Sequence, residues 1–293
     1  MPEKVSFYSD ELEVAGDWYR AEGDGRPVVV LCHGFTGVRG MVMPEVAERL
    51  NAAGYHALAF DYRNFGDSGG EPRGRIDPAE QVRDIRAAVT FAQSRAEADP
   101  RRVALWGTSF GGGNAVVAAA HDRRVACVVA NIAVMRGERW LRSLRGPEDW
   151  NRLLDRIAED RQRRVLEGGT TDVNPFEIMP VDDATVPFIR EHWAEVPNLP
   201  RTITLDTAEA VMAHDPQAVI DQLSPRPLLM LAVERDQIVP NEETTQAFAA
   251  AAEPKKLVWL PRRLTHWGAY VGEGFELVMA ETVAWLDHWL PTG

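Results

Sequence analysis

Short runs of apolar, mostly β-branched residues alternate with longer amphipathic segments along most of the chain. Runs that are apolar throughout are typical of strands that a parallel sheet buries on both faces. They lie at 28–32, 57–60, 103–106, 127–133, 228–233 and 256–260, and the segments that predict helices lie at 40–53, 78–97, 111–121, 242–252 and 275–289. This alternation predicts an α/β fold in which helices connect parallel strands.

Two regions depart from the alternation. Residues 4–21, KVSFYSDELEVAGDWYRA, alternate between polar and apolar positions and turn at Ser9–Asp10, which predicts an antiparallel hairpin at the sheet edge. Between residues 134 and 223 the strand runs stop, and charged helical patterns with several tryptophans replace them. Since the strand pattern resumes afterwards, we interpret 134–223 as a helical cap inserted into one core formed by 1–133 and 224–293.

Composition narrows the class of protein. The formal charge is −12, from 44 acidic and 32 basic residues, with no run of lysine or arginine, so nucleic acid is not an expected partner. No segment predicts a signal peptide or a membrane span, which predicts a cytoplasmic protein without membrane contact. Cys32 and Cys127 each lie in a predicted buried strand, where free thiols are expected.

Glycines surround one serine where the third buried run ends. In LWGTSFGGGN, residues 105–114, Gly107, Ser109 and Gly111 fit the Gly-x-Ser-x-Gly nucleophile elbow, with a predicted strand before it and a predicted helix after it. Such a sharp turn strains the serine backbone and leaves room only for glycine two positions to either side. The stretch lacks the lysine of a P-loop and the spacing of a dinucleotide site, so it predicts a nucleophilic serine.

A serine nucleophile needs a histidine base and a carboxylate, in the chain order serine, acid, histidine. Asp236 follows the penultimate predicted strand, and His266 follows the last one, so both are expected at the carboxyl edge of the sheet. Of the seven histidines, His266 alone has this order and position. Glu234 and Asp215 are alternative acids, and Glu234 is close enough to Asp236 to leave the choice between them open.

The oxyanion of an acyl transfer needs backbone donors. HGFTG follows the first buried run, so the amide of Phe35 is the expected first donor, and the amide of Phe110, next after Ser109, is the expected second. His33, just before this loop, is expected to hold the loop by hydrogen bonds. No spacing typical of metal ligands is present, so no metal or cofactor is expected.

Five motifs, taken together, resemble the α/β-hydrolase superfamily. HGFTG, DYRNFGDSGG, GTSFGG, ERDQIVP and THWG occur in its order, and the resemblance is strongest to dienelactone-hydrolase-like esterases and S9 and S15 peptidase domains. It implies an eight-stranded, mostly parallel sheet, a Ser109–Asp236–His266 triad and a cap between strands six and seven. It also implies that the turn at 61–70 braces the oxyanion side. Dienelactone hydrolases carry cysteine at the elbow, and epoxide hydrolases and dehalogenases carry aspartate there, so their reactions are disfavoured.

The cap supplies the candidate substrate pocket. An apolar acyl or aromatic substrate is expected, because the insertion contains many large apolar side chains. The candidate pocket residues are Met135, Trp140, Trp150, Phe176, Met179, Phe188, Trp193 and Met212. Nearby, Arg139, Arg142 and Arg145 are expected to form a solvated face paired with Glu138, Glu148 and Asp149.

These observations predict a serine hydrolase that cleaves a carboxylic ester, lactone or related acyl bond of a small molecule through an acyl-enzyme on Ser109. A peptidase or amidase, a thioesterase or acyltransferase and a C–C bond hydrolase remain open, because they use the same triad. A non-catalytic binding module is the alternative of another class. A homodimer is the generic expectation for an enzyme of this size.

Overall fold

The computed structural model describes residues 1–181 and 185–292 and has alternating strands and helices. The strands are β1 (Glu3–Ser9), β2 (Leu12–Tyr19), β3 (Arg26–Cys32), β4 (His56–Phe60), β5 (Ala98–Thr108), β6 (Val125–Asn131), β7 (Asp172–Val173), β8 (Ile203–Thr204), β9 (Leu228–Val233) and β10 (Lys255–Leu260). The α-helices are α1 (Met43–Ala52), α2 (Pro78–Ser94), α3 (Phe110–His121), α4 (Gly137–Ser143), α5 (Pro147–Leu166), α6 (Pro175–Ile178), α7 (Thr185–Trp193), α8 (Asp206–Met212), α9 (Asn241–Ala250) and α10 (Gly272–Trp289). Two 3₁₀ helices span Pro216–Leu223 and Trp267–Tyr270.

Eight strands form one sheet in the order β1-β2-β4-β3-β5-β6-β9-β10, and β7 and β8 form a separate small pair. The first two strands pair antiparallel with each other and β2 pairs antiparallel with β4, whereas the remaining pairs of the large sheet are parallel. The predicted hairpin and the mostly parallel sheet are therefore confirmed. Each buried run of the sequence lies within or overlaps a strand of this sheet.

Apolar side chains cover both faces of the sheet. One core cluster joins β3 and β5 to α2 and α3, and a second joins the opposite faces of the same strands to α1 and α10. The two cysteines lie within these clusters as free, buried thiols, as expected, and burial raises the pKa of each to about 12. No helix in the described ranges is long and apolar enough to cross a membrane.

The chain between β6 and β9 forms α4 to α8 and the small strand pair, and it packs over the sheet edge through a third apolar cluster. The range 134–223 remains our prediction for the cap, and residues near both of its ends pack with the sheet core: Met135, Ile220 and Leu223 belong to the first cluster.

A buried carboxylate fastens the start of this segment to the core. Glu243, in α9, is fully buried and accepts hydrogen bonds from the amides of Met135 and Arg136 at 2.8 and 2.7 Å. It also accepts one from Nε of Arg139. The expectation that Arg139 belongs to a solvated face was therefore wrong, because a buried acceptor outside its own helix binds it.

We expect Glu243→Ala to lower the free energy of unfolding by about 3 kcal/mol, because two buried amides and one guanidinium lose their shared acceptor. Urea unfolding followed by circular dichroism measures the change. The exposed neighbour Glu242 provides the matched control, and Glu242→Ala should change stability by less than about 0.5 kcal/mol. Equal effects of the two substitutions would contradict the anchoring role.

Candidate active site

Ser109 lies on a strained turn between β5 and α3. Its φ is 52° and its ψ is −124°, a backbone conformation that side-chain-bearing residues rarely adopt. Its amide donates to the Asn131 carbonyl at 2.9 Å, which ties the turn to β6. A Cβ on Gly107 would lie 2.3 Å from the Gly111 carbonyl oxygen, and one on Gly111 would lie 2.2 Å from that of His33. The turn therefore requires glycine at both positions, as the motif predicts.

The loop after β3 runs directly against this turn. A Cβ on Gly34 would lie only 3.2 Å from Cβ of Ser109. The next amide, that of Phe35, donates to no acceptor in the described ranges, and neither does that of Phe110, the first residue of α3. Two free amides therefore lie within one residue of this contact, and the one on Phe110 is at a helix N-terminus, where developing negative charge is stabilised.

His33 holds this loop from below. It is 3% exposed, its Nε2 accepts from the Tyr62 amide at 3.5 Å and its Nδ1 lies 3.1 Å from the Gly34 carbonyl oxygen. These partners define a neutral ring that carries its proton on Nδ1. Burial lowers the pKa of His33, which favours the same neutral form. The bonds agree with the structural role expected for this residue.

Arg39 braces the other end of the loop. The Arg39 amide donates to Oδ1 of Asp61 at 2.7 Å, and its guanidinium contacts both Asp61 and Asp67. Nε of Arg39 lies 3.3 Å from Oδ1 of Asp17 in β2. The turn at 61–70 is thus tied to the loop after β3 through an ion-pair network, and no contact of Asp61 with Ser109 is present in the described residues.

Asp236 and His266 form a buried pair after β9 and β10. Nδ1 of His266 lies 2.9 Å from Oδ2 of Asp236, and both side chains are almost fully buried. The other oxygen, Oδ1, accepts from the amides of Ile238 and Val239, each at 2.8 Å. The two amides fix the carboxylate, and its Oδ2 can only accept a hydrogen bond. Nδ1 of His266 is therefore the nitrogen that donates, and Nε2 is the one left available as a base.

Glu234 takes a different position. Its carboxylate is exposed and lies 3.5 Å from Nε of Arg262, and it makes no contact with His266 in the described part of the chain. Asp215, the other alternative acid, faces Arg136 at 3.3 Å. Of the three carboxylates considered from the sequence, Asp236 is therefore the one that touches the histidine.

Ser109 and His266 line one cavity of about 330 Å³, which residues of the segment between β6 and β9 also line. No hydrogen bond joins the two side chains in the described residues, and Nε2 of His266 has no other protein partner there. Most of the wall is apolar, as suits an acyl group. The wall comprises His33, Gly34, Phe35, Thr36, Gly37, Met41, Val42, Met43, Thr108, Ser109, Asn174, Pro175, Phe176, Met179, Ile189, Trp193, Leu199, Pro200, Arg201, His266, Trp267 and Tyr270.

Three of the eight cap residues expected in the pocket, Phe176, Met179 and Trp193, line the cavity. The other five are not among its lining residues, so their assignment to the wall is corrected. They pack instead against neighbouring side chains: Met135 in the sheet core, Trp140, Trp150 and Met212 in the third cluster, and Phe188 against Trp193 and Trp267. An amphipathic pattern identifies a buried face but not which buried space it meets.

Trp140 nevertheless supports the site from behind. Its ring packs on those of Phe35 and Phe110 at centroid distances of 5.6 and 5.9 Å, and its Nε1 donates to the Ile238 carbonyl at 2.9 Å. It therefore connects the loop after β3, the start of α3 and the loop of Asp236. Its role is structural support of the site.

Two aromatic cavity residues that follow His266 were not predicted from the sequence. Trp267 and Tyr270 line the cavity, and Nε1 of Trp267 donates to Oγ1 of Thr185 in α7 at 2.6 Å. The hydroxyl of Tyr270 lies 3.0 Å from Oγ1 of Thr108, next to the nucleophile. Both residues lie within four positions of His266 in the sequence, and this proximity could have identified them as cavity residues.

An eight-stranded sheet with a serine elbow, a histidine–aspartate pair and a covering helical segment defines an α/β hydrolase. The family model described as serine aminopeptidase, S33, matches residues 23–266, and the chain belongs to that family. The superfamily resemblance and the fold inferred from the motifs are therefore confirmed.

Proteins similar in sequence and structure span nearly the whole chain. "Thiohydrolase aneE" of Aspergillus aculeatus is 30% identical, over 97% of this chain and 92% of its own length. "Quorum-quenching protein AidA" of Acinetobacter baumannii is 29% identical, over 99% of this chain and 96% of its own. The structure described as DcsB in complex with its substrate analogue covers 99% of both chains, with a TM-score of 0.85 and 25% identity.

We expect Gly111→Ala to lower the free energy of unfolding by about 3 kcal/mol and to remove the site's geometry, because the new methyl group meets backbone carbonyls that cannot move aside. Thermal unfolding measures the loss. Gly146→Ala is the matched control, since a Cβ there meets nothing within 4 Å and its φ is −72°. It should shift stability by less than about 1 kcal/mol. A tolerated alanine at position 111 would refute the close-approach constraint.

Proposed function

We propose that this α/β hydrolase is a serine hydrolase that cleaves a carboxylic ester, lactone or related acyl bond through an acyl-enzyme on Ser109. One observation carries the proposal: a buried His266, oriented by Asp236 at 2.9 Å, shares a cavity wall with a serine raised on a strained elbow. A base, an orienting carboxylate and a nucleophile at one cavity are the components that acyl transfer needs.

The reaction proceeds by proton transfer within this group. Ser109 attacks the carbonyl carbon while Nε2 of His266 takes the hydroxyl proton, and Asp236 stabilises the imidazolium. The amides of Phe35 and Phe110 donate to the oxyanion. The protonated His266 returns its proton to the leaving group as the acyl-enzyme forms. Water, activated by the same imidazole, then attacks the ester carbonyl and releases the acid.

Cavity composition supports an apolar acyl group. Met41, Phe176, Met179 and Trp193 line the space beside the serine, and a volume of about 330 Å³ is at the lower end of that of small-molecule pockets. A medium-length aliphatic or a single-ring aromatic acyl group is the substrate class that we infer.

Thioester hydrolysis is a second candidate, because a relative that is 30% identical over almost the whole chain is described as a thiohydrolase. The same serine, base and oxyanion donors serve both bonds. The two activities are distinguished by comparing kcat/KM on p-nitrophenyl octanoate with kcat/KM on octanoyl-N-acetylcysteamine. A value at least tenfold higher on the thioester, after correction for the intrinsic reactivity of the two bonds, would favour thioester hydrolysis.

We expect a fluorophosphonate probe to label Ser109 and add one phosphonyl group, because the probe requires a serine activated by a base. Intact-mass and peptide mass spectrometry locate the adduct. Ser109→Ala should abolish labelling, and His266→Ala should slow it by a factor on the order of 10³ or more. Undiminished labelling in His266→Ala would end the proposed mechanism.

We expect Asp236→Asn to lower kcat by a factor on the order of 10⁴. Two backbone amides hold Oδ1, so the new NH₂ group points at Nδ1 of His266 and forces the proton onto Nε2, where it blocks the base. Steady-state kinetics on p-nitrophenyl butyrate measures the effect, and circular dichroism checks the fold. Glu234→Gln is the matched control and should retain activity within about twofold. Equal losses in both variants would reassign the acid.

A further inference from the structure

A groove adjoins the catalytic cavity on the side of α7. It has a volume of about 550 Å³, and five residues border both spaces: Ile189, Trp193, Leu199, Pro200 and Arg201. A single layer of side chains thus belongs to both the cavity and the groove. Arg201 therefore borders both the space beside Ser109 and the groove, whereas Arg190 borders the groove.

Two arginines without partners line this groove. Arg190 and Arg201 are exposed, and neither makes a hydrogen bond or an ion pair within the described ranges. Several other arginines of the segment between β6 and β9 are paired: Arg161 contacts Glu209 at 2.7 Å, and Arg164 contacts Asp160 at 2.8 Å. In a chain with an excess of 12 negative charges, no carboxylate within residues 1–181 and 185–292 pairs with either of these two guanidinium groups.

The carboxylate of Asp67, which contacts the groove residue Asn198, is already occupied. Asn198, which lines the groove, donates to Oδ1 of Asp67 at 2.6 Å, and Arg39 binds Oδ2 of the same side chain. These two contacts lower the pKa of Asp67, with Arg39 as the main cause. Asp67 is thus held by donors of its own and does not compensate Arg190 or Arg201.

We propose that Arg190 and Arg201 bind an anionic group of the substrate, a carboxylate or a phosphate, while its acyl bond lies at Ser109. This inference rests on the proposed function and adds the substrate's charge to it. The planar guanidinium fork matches both anions and binds each in a bidentate manner. The apolar wall residues Ile189 and Leu199 contact the carbon chain that joins the anion to the reacting carbonyl.

The anion has two chemical sources that share this recognition. It belongs either to the far end of the acyl chain, as in a dicarboxylic monoester, or to the leaving group, as in a thioester of a phosphate-bearing pantetheine arm. Two matched pairs of substrates distinguish them. The p-nitrophenyl monoester of suberic acid is compared with p-nitrophenyl octanoate, and octanoyl-coenzyme A with octanoyl-N-acetylcysteamine.

We expect the double variant Arg190→Gln/Arg201→Gln to lower kcat/KM about tenfold on the anionic member of one pair, since two charge-assisted hydrogen bonds are lost. The kcat/KM on the neutral member should fall less, so that the ratio of the two values, anionic over neutral, decreases. In the unmodified protein, raising NaCl from 50 to 500 mM should reduce the preference for the anionic over the neutral member, because salt screens the charge interaction. The control substitution is Arg142→Gln. Arg142 is exposed and does not line the groove, so the ratio of kcat/KM on the anionic member to that on the neutral member should stay unchanged for both pairs.

Equal losses on anionic and neutral substrates, or no loss on either pair, would overturn the inference. Measuring ligand binding to the Ser109→Ala variant, which cannot form an acyl-enzyme, keeps this test separate from the proposed function. Calorimetry compares S-octyl-coenzyme A with S-octyl-N-acetylcysteamine, and monomethyl suberate with methyl octanoate. An anionic preference that disappears in the arginine double variant supports the site even without turnover. An absent preference rejects the site even where neutral esters are hydrolysed.

Discussion

The site depends on the close approach between the elbow helix and the end of β3. At Gly111 a single added carbon would overlap carbonyl oxygens of both Cys32 and His33. That approach brings the loop of Gly34 and Phe35 beside Ser109, and it forces the serine into its strained conformation. One steric constraint therefore sets the positions of Ser109 and of the neighbouring amides of Phe35 and Phe110.

Parallel strand order brings the remaining groups to the same place. Because β3, β5, β9 and β10 all run in one direction, the loops after their carboxyl ends meet at a single edge. Asp236 and His266 are thirty residues apart in sequence and 2.9 Å apart in space. The amides of Ile238 and Val239 both donate to Oδ1 of Asp236, so the other oxygen, Oδ2, is directed at the imidazole.

The sequence predicts most of the fold and the reacting groups, because both follow from local patterns. Buried runs and glycine spacing define β5, the elbow and α3, and its position directly after a predicted strand favours Asp236 over Asp215. The cavity wall was less predictable. Trp140 and Trp193 are both buried tryptophans of the cap segment, yet only Trp193 borders the cavity. Which face of a helix meets an open space depends on how distant segments pack, and periodicity contains no such information. Arg139 shows the same limit, since its acceptor, Glu243, lies more than a hundred positions away.

The hydrogen bond between Trp267 and Thr185 constrains how the sequence can evolve. The tryptophan adjoins His266 in sequence and packs against its ring at 4.9 Å, and it stacks on Phe188 of α7. Substitutions in α7 that displace Phe188 or Thr185 therefore also displace Trp267, which packs on the ring of His266. The wall of the cavity and the position of His266 depend on one set of aromatic contacts, so a mutation that reshapes the wall also disturbs the histidine unless a second change restores the packing.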